Sequence, residues 1–384
     1  MHMNKVLLFV NVDWFFLSHR LPIAKEASKK GINMNVFADF TRPHEKDEYQ
    51  DFNFFKSPIK RTSNNIFSSF KELINTFNLV KKEKPKVVQA VTVKPILFLG
   101  IICFILRIPF IASISGLGPA FTPKNFLSRF VLSIIKLSYK IIFSNENSLA
   151  ICQSNFDASV LIDNNLISRK RVYMAKGSGI NLDKYYSKKN INHEVINILM
   201  ASRLLKDKGV KEFCSASGKI IRNDCFNVNF SLAGPFDKDS PSALKEDEVL
   251  EMCKHNNIKF LGNRTDIQDV LAETDIFVLP SYYGEGIPKV LLEAAASRCA
   301  VITTDHPGCR DAIIPNETGI LVKPKDISSL TDALILLLSN PEKIELMGSK
   351  ARELAKEQFS VKKVVDLHYD LYQIFINGSF KIEK

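Results

Sequence analysis

What most constrains this chain is an alternation. Short runs of β-branched and large apolar residues are each followed by a stretch with helical spacing. KVLLFVNV (5–12) reads as a strand, LPIAKEASKKG (21–31) as a helix ending on glycine, and INMNVFAD (32–39) as a strand again. After a basic, polar stretch come a helix near 66–83, a strand at 86–92, an apolar helix at 95–107 and a strand at 109–116. Parallel strands need a crossover that a helix supplies, so this pattern implies a parallel sheet covered on both faces. The pattern lapses at VYMAKGSGINLD (172–183) and at the polar KKNINHE (188–194), then restarts. Strands are predicted near 196–201, 228–233, 258–261, 276–279, 300–303 and 320–322, and an amphipathic helix at 361–378. A chain of 384 residues has room for two domains. The expectation is α/β: two Rossmann-like, doubly wound domains, 1–185 and 186–360, whose strand C-termini face a central cleft where ligands bind.

Charge is unevenly placed. Net charge is +11, yet residues 1–180 carry 25 Lys and Arg against 12 Asp and Glu, and the rest carry 27 against 29. A basic first half suggests an anionic partner there, nucleic acid or an anionic membrane surface; a Lys-rich solvated surface is the plain alternative. Nucleic acid is set aside, because no recognised module or interleaved exposed aromatics accompany the charge. FLSRFVLSIIKLSYKIIF (126–143) mixes apolar residues with Arg129, Lys136 and Lys140. Such a basic amphipathic helix suits a membrane face, though it would also pack inside the first domain. PILFLGIICFIL (95–106) falls short of the about 20 residues needed to span a bilayer. The N-terminus lacks the basic segment and cleavage site of a signal peptide. Seven scattered cysteines, none in a CxxC pair, read as reduced thiols in a cytosolic protein.

YYGEGIPKVLLEAAASR (282–298) follows the apolar strand IFVLPS (276–281). Pro288 fits the first position of a helix, where its missing N–H costs nothing. A helix N-terminus there would attract a phosphate or diphosphate. Glu285 could accept hydrogen bonds from sugar hydroxyls, and Glu293, on the helix, suits the vicinal diol of a ribose. Taken alone, Glu293 also fits a solvated helix face. In ILMASRLLKDKGVKEF (198–213), Arg203 and Lys208 follow a strand end and could bind diphosphate oxygens, or simply belong to a solvated basic loop.

Together these pieces resemble the retaining glycosyltransferases of family 4, with the GT-B fold and the E-x7-E motif, which include bacterial polysaccharide, capsule, lipopolysaccharide and O-antigen enzymes. The resemblance rests on SRLLKDKGV (202–210), SLAGP (231–235), FLGNRTDI (260–267), DIFVLPSYYGEGIPKVLLEAAASR (275–298), TTDHPGCRDAI (303–313) and ETGILVKPKD (317–326), with GSGINLDKY (177–185) at the hinge. It implies that Arg203 and Lys208 bind the donor diphosphate, Glu285 the transferred sugar and Glu293 the ribose. It also implies that Gly286, Ile287, Pro288 and Lys289 line the phosphate site, with Asn263 and Arg264 near the base. The helix at 361–384 would cross back onto the first domain. On the acceptor side, the stretch NVDWFFLSHRLPIA (11–24) would form a loop after strand one, without the family's frequent glycines. His19 and Arg20 are candidates there, His19 also fitting a structural role; Gly116 and Gly118 would allow close backbone approach. Gln89 and Thr92 stand where many members carry a histidine, which puts a histidine function there in doubt.

The implied reaction transfers a hexose or N-acetylhexosamine from a UDP-sugar to a lipid-diphosphate-linked saccharide, without a cofactor or metal. UDP is taken from family frequency, not from a residue. DKD (237–239) is discounted as a metal-binding pair. The expected location is cytoplasmic, peripherally bound to the inner face of the membrane. Two alternatives are a nucleotide-sugar epimerase of similar shape and a non-catalytic binder of anionic ligands. A dinucleotide-dependent dehydrogenase is excluded because no GxGxxG follows a strand.

Overall fold

The structure is a computed structural model that describes the chain except residues 1–3, 42–48, 61–65, 118–120, 122–124, 187–193, 238–239, 379 and 381–384. The chain divides into two compact units, Met1–Ser178 with Val361–Lys384, and Gly179–Ser360. The first unit closes at Ser178, earlier than the 185/186 boundary expected from sequence. The reason is local: Ile180 N–H already donates to Phe359 O, so the hinge stretch joins the second unit before the polar tract is reached.

The first unit holds seven strands: β1 (Lys5–Val12), β2 (Asn33–Asp39), β3 (Asn53–Lys56), β4 (Val87–Val91), β5 (Phe110–Ile114), β6 (Ser148–Cys152) and β7 (Val172–Met174). All pair in parallel, in the order β3-β2-β1-β4-β5-β6-β7. Its helices before the C-terminal one are α1 (Asp13–His19), α2 (Leu21–Lys29), α3 (Ile66–Glu83), α4 (Val93–Leu106), α5 (Phe126–Ser144) and α6 (Asn155–Asp163). Alternation along β1 divides the core. Leu7 and Phe9 pack with residues of α3, α4 and α5, while Val6, Leu8 and Val10 pack with α1, α2 and the C-terminal helix Val361–Ile376. Each fully buried side chain of this kind contributes about 1.5–3 kcal/mol.

The second unit holds β8 (Ile196–Ala201), β9 (Val228–Ala233), β10 (Lys259–Gly262), β11 (Ile276–Leu279), β12 (Ala300–Thr304) and β13 (Gly319–Val322). They form a parallel sheet in the order β10-β9-β8-β11-β12-β13. Its helices are α7 (Val210–Asn223), α8 (Glu246–His255), α9 (Ile267–Ala272), α10 (Lys289–Ala296), α11 (Ile327–Leu338) and α12 (Pro341–Gln358); the C-terminal helix is α13. Both sheets are doubly wound, reversing direction between β1 and β4 and between β8 and β11. Ligands of open parallel sheets bind outside the strand C-termini at such switch points.

Two local expectations are corrected. The stretch after β1 is not a loop: α1 begins at Asp13 directly from the strand. Buried Asp13 accepts from its neighbour Trp14 N–H at 2.8 Å and from Thr41 N–H and Oγ1 at 2.8 and 2.6 Å, which holds the helix start in place. Pro288 caps α10 rather than opening it, with φ −60° and ψ 123°.

Candidate functional site

Three ionisable side chains predicted from sequence, Arg203, Lys208 and Glu285, converge on the loops that leave β8 and β11, and a fourth, Glu293, lies on the helix that follows the β11 loop. β8 ends at Ala201, and the chain turns through Arg203 into a single 3-10 turn, Lys206–Lys208. Gly209 then adopts φ +81°, and a Cβ there would strike the Pro280 carbonyl, so only glycine lets the β8 loop lie against the end of β11. The β11 loop carries Glu285. Lys208, 5% exposed, forms a short ion pair with Glu285, and its ammonium lies 5.1 Å from the centre of the Tyr283 ring. Arg203 stands 5.7 Å over the same ring and donates to Asp237 Oδ2 at 2.8 Å. Burial alone would lower the Arg203 pKa; the Asp237 bond, with the charges of Tyr283 and Glu285, outweighs it and raises it. Arg203 and Lys208 thus present two positive charges around one aromatic ring. Each is balanced by a carboxylate that an anionic ligand would displace or share.

Glu293 lies in the second turn of α10 and is 8% exposed. Its Oε1 accepts from the Tyr185 hydroxyl at 2.7 Å and sits 3.6 Å from Lys289 Nζ. The backbone from Gly286 to Pro288 is buried. Gly308, with φ +82°, backs this loop closely; a Cβ there would come within 2.5 Å of Gly286 O and 2.7 Å of Glu285 O.

Asn263 and Arg264 line a pocket of about 190 Å³ with Ala201, Ser202, Gly234 and Pro235, at the ends of β8, β9 and β10. That is smaller than the roughly 300–1,000 Å³ of a site enclosing a whole drug-sized ligand, and suits a single planar moiety. Arg264 donates to Asp266 at 2.8 and 2.5 Å. Among the described residues, no group of three His, Cys, Asp or Glu side chains could hold a metal ion.

The acceptor-side candidates are less convergent. His19 is half-buried, stacks on Phe15 at 4.2 Å between ring centres and shares a 2.5 Å hydrogen bond with Ser18. Arg20 is 2% exposed and buried in the first unit, not presented at its surface. Its Nη1 donates to His19 O at 3.2 Å, and burial lowers its pKa to about 10, so it stays charged at neutral pH. Gly116 takes φ +105° after β5; Gly118 lies outside the described residues. Gln89 is buried, donating to Ser113 Oγ at 2.5 Å and accepting from Tyr372 of α13, which gives it a structural set of partners. Sequence reasoning missed Tyr185 and Asp237. Asp237 was visible only as part of a discounted acidic pair, and the Tyr185–Glu293 contact spans 108 positions.

Comparison with known proteins adds an independent line. A sequence model described as glycosyl transferases group 1 matches residues 183–354, and one described as glycosyl transferase 4-like matches residues 5–153. The chain is 29% identical to the N,N'-diacetylbacillosaminyl-diphospho-undecaprenol alpha-1,3-N-acetylgalactosaminyltransferase of Campylobacter jejuni, over 94% of this chain and 99% of that protein. It is 25% identical to the UDP-Gal:alpha-D-GlcNAc-diphosphoundecaprenol alpha-1,3-galactosyltransferase of Escherichia coli, over 80% of each chain. The crystal structure of HepE from Anabaena in complex with UDP shares the fold, with a TM-score of 0.73 at 16% identity, covering 97% of this chain and all of that one.

Proposed function

Because this chain belongs to the glycosyltransferases of group 1 and is a glycosyltransferase, we propose that it moves a hexose or N-acetylhexosamine from a UDP-sugar to a saccharide carried on a lipid diphosphate, with retention of configuration, in bacterial surface glycan synthesis. The observation that carries this reading is the convergence of Arg203, Lys208 and Glu285 around Tyr283 at the switch point of the second sheet, with Glu293 on the helix that leaves the same loop. On this reading the nucleobase enters the pocket lined by Asn263 and Arg264, the ribose diol binds Glu293, and the diphosphate lies against Arg203, Lys208 and the N–H groups of Gly286, Ile287 and Lys289, beside Pro288. Glu285 then meets the transferred sugar. As the anomeric C–O bond breaks, negative charge grows on the departing diphosphate, and the two cations and the α10 terminus stabilise it without a metal ion. The leaving phosphate takes the acceptor proton. The acceptor class is supported by the diphosphoundecaprenol-linked substrates in the names of both sequence relatives.

The same reading has the first unit rest on an anionic membrane at its inner face, through the layer α3–α4–α5. No described helix is long and apolar enough to cross a membrane. α5 buries Ile135, Tyr139, Ile142 and Phe143 yet leaves Phe126, Leu127, Phe130, Ile134 and Leu137 exposed on its other side. Phe67 and Phe70 of α3 and Phe104 and Ile105 of α4 are exposed too. α5 carries Arg129, Lys136 and Lys140 and no acidic residue, so an anionic lipid surface complements both its charge and its apolar ridge. His19, Gly116 and Gly118 remain acceptor-side candidates in this unit; Arg20, buried in its core, does not.

The test is transfer from a panel of UDP-sugars to undecaprenyl-diphosphate-linked saccharides in anionic vesicles, with a chelator present. Metal-independent product with the anomeric configuration of the donor supports the proposal. Nucleotide-sugar isomerisation without acceptor, or turnover only with added divalent metal, contradicts it.

A further inference from the structure

The Tyr185–Glu293 contact lies outside the roles assigned so far. Tyr185 follows the hinge stretch GSGINLDK and is 4% exposed. Its hydroxyl reaches the one carboxylate of α10, Glu293, itself 8% exposed. Among the described residues no side-chain donor reaches Glu293 Oε2, so that oxygen keeps its lone pairs for a ligand while Oε1 is tied down. The tyrosine is itself clamped. Arg352 of α12 donates from Nη1 to Tyr185 O at 2.7 Å and from Nη2 to Leu182 O at 3.0 Å, and also binds Ala296 O at the last residue of α10. One guanidinium thus ties the segment 182–185 to the helix whose carboxylate Tyr185 touches. Burial, then the neighbouring Glu293 charge, pushes the phenol far above its ordinary range, so it remains a donor at every physiological pH.

We propose that Tyr185 is a positioning residue for donor recognition: its hydroxyl fixes the Glu293 carboxylate in the rotamer that receives the ribose diol, and Arg352 holds Tyr185 in place to do so. This rests on the assignment of Glu293 to the ribose. A free glutamate would have to lose rotamer freedom on meeting the diol; a pinned one has already lost it, so more of the contact appears as affinity. A merely structural tyrosine would hold up the fold without caring which sugar the ligand carries.

The discriminating probe is therefore the ratio of affinities for UDP and 2′,3′-dideoxy-UDP, measured calorimetrically on the full chain. Because both ligands are read on the same variant, any loss of folded protein cancels in the ratio. Wild type should prefer UDP. Tyr185→Phe should cut that preference about three- to tenfold, the net scale of one hydrogen bond, with dideoxy-UDP affinity and Tm little changed. Arg352→Lys, which leaves both partners in place, should cut it in the same direction. A wild type that does not distinguish the two ligands overturns the ribose assignment and the positioning role with it. A wild type that distinguishes them, with both variants keeping its ratio, overturns the positioning role alone.

Discussion

The two units of this chain share a winding rule and differ in what stands at its turning point. In the second unit, the loops leaving β8 and β11 present Arg203, Lys208 and Glu285 around Tyr283, and Glu293 stands on α10, the helix that follows the β11 loop. In the first unit, the segments next to β1 and β4 turn their polar groups inward. Arg20 is buried, His368 is buried beside it, and Gln89 binds Ser113 and Tyr372. That unit's distinctive surface lies instead on the outer side of α3, α4 and α5, where large apolar side chains meet solvent. On the proposed reading, one architecture would serve two kinds of recognition. A charged, hydrogen-bonding ligand calls for polar loops at the strand ends, whereas a lipid-borne ligand calls for an apolar, basic flank.

The sharpest way to break this comparison is to remove charge from the second unit. Lys208→Ala and Arg203→Ala should each lower turnover by about 10²–10³, the usual cost of losing a group that stabilises transition-state charge, while Tm moves by only a few degrees. Equal losses of activity and stability would make the pairs with Glu285 and Asp237 structural. The matching test of the first unit replaces Phe130 and Leu137, exposed on α5, by glutamate. Sedimentation with anionic vesicles should fall by about tenfold or more, given about 1.5–3 kcal/mol per buried apolar side chain, and the loss should persist in high salt. Unchanged sedimentation places the membrane face elsewhere. Glu293→Ala should weaken UDP binding by about tenfold, in line with losing hydrogen bonds to a charged group, which calorimetry reads directly.

The smallest effect concerns the polar interior of the first unit. Burial, helped by the Arg20 charge, lowers the His368 pKa from 6.5 to about 3. Between those values the unfolded chain carries a proton that the folded chain does not. Stability is therefore present above pH 6.5 and lost as pH falls toward 3, at a slope of about 1.4 kcal/mol per pH unit from this residue. His368→Phe should flatten that slope in acid unfolding curves; an unchanged slope would mean that His368 protonates freely in the folded state.

Much of the second unit could be read from the chain. The sequence pattern marks β11 at its observed bounds, and Arg203, Lys208, Glu285 and Glu293 stand out because each sits in a short motif that follows a strand. The helix Ile66–Glu83 was equally legible from its spacing. What escaped was non-local or lacked a local cue. α1 starts after Val12, which offers no side-chain cap, and its anchoring partner Thr41 is 28 positions away. β3 is a four-residue edge strand with mostly exposed residues and little alternation. Arg20 reads as a surface residue in any one-dimensional pattern, and only the packing of α1, α2 and α13 buries it. Asp237 and Tyr185 gained meaning once the fold brought them to Arg203 and Glu293.

The central claim, that the second unit is a ready nucleoside-diphosphate site, is tested most directly by thermal stabilisation of the purified chain with UDP, GDP and ADP in the presence of a chelator. A ligand that binds only the folded state raises Tm in proportion to ln(1 + [L]/Kd). The account predicts a clear rise with UDP, little with the purine nucleotides, and a smaller rise in Glu293→Ala at the same UDP concentration. No rise with any nucleotide, or an undiminished rise in that variant, would contradict it.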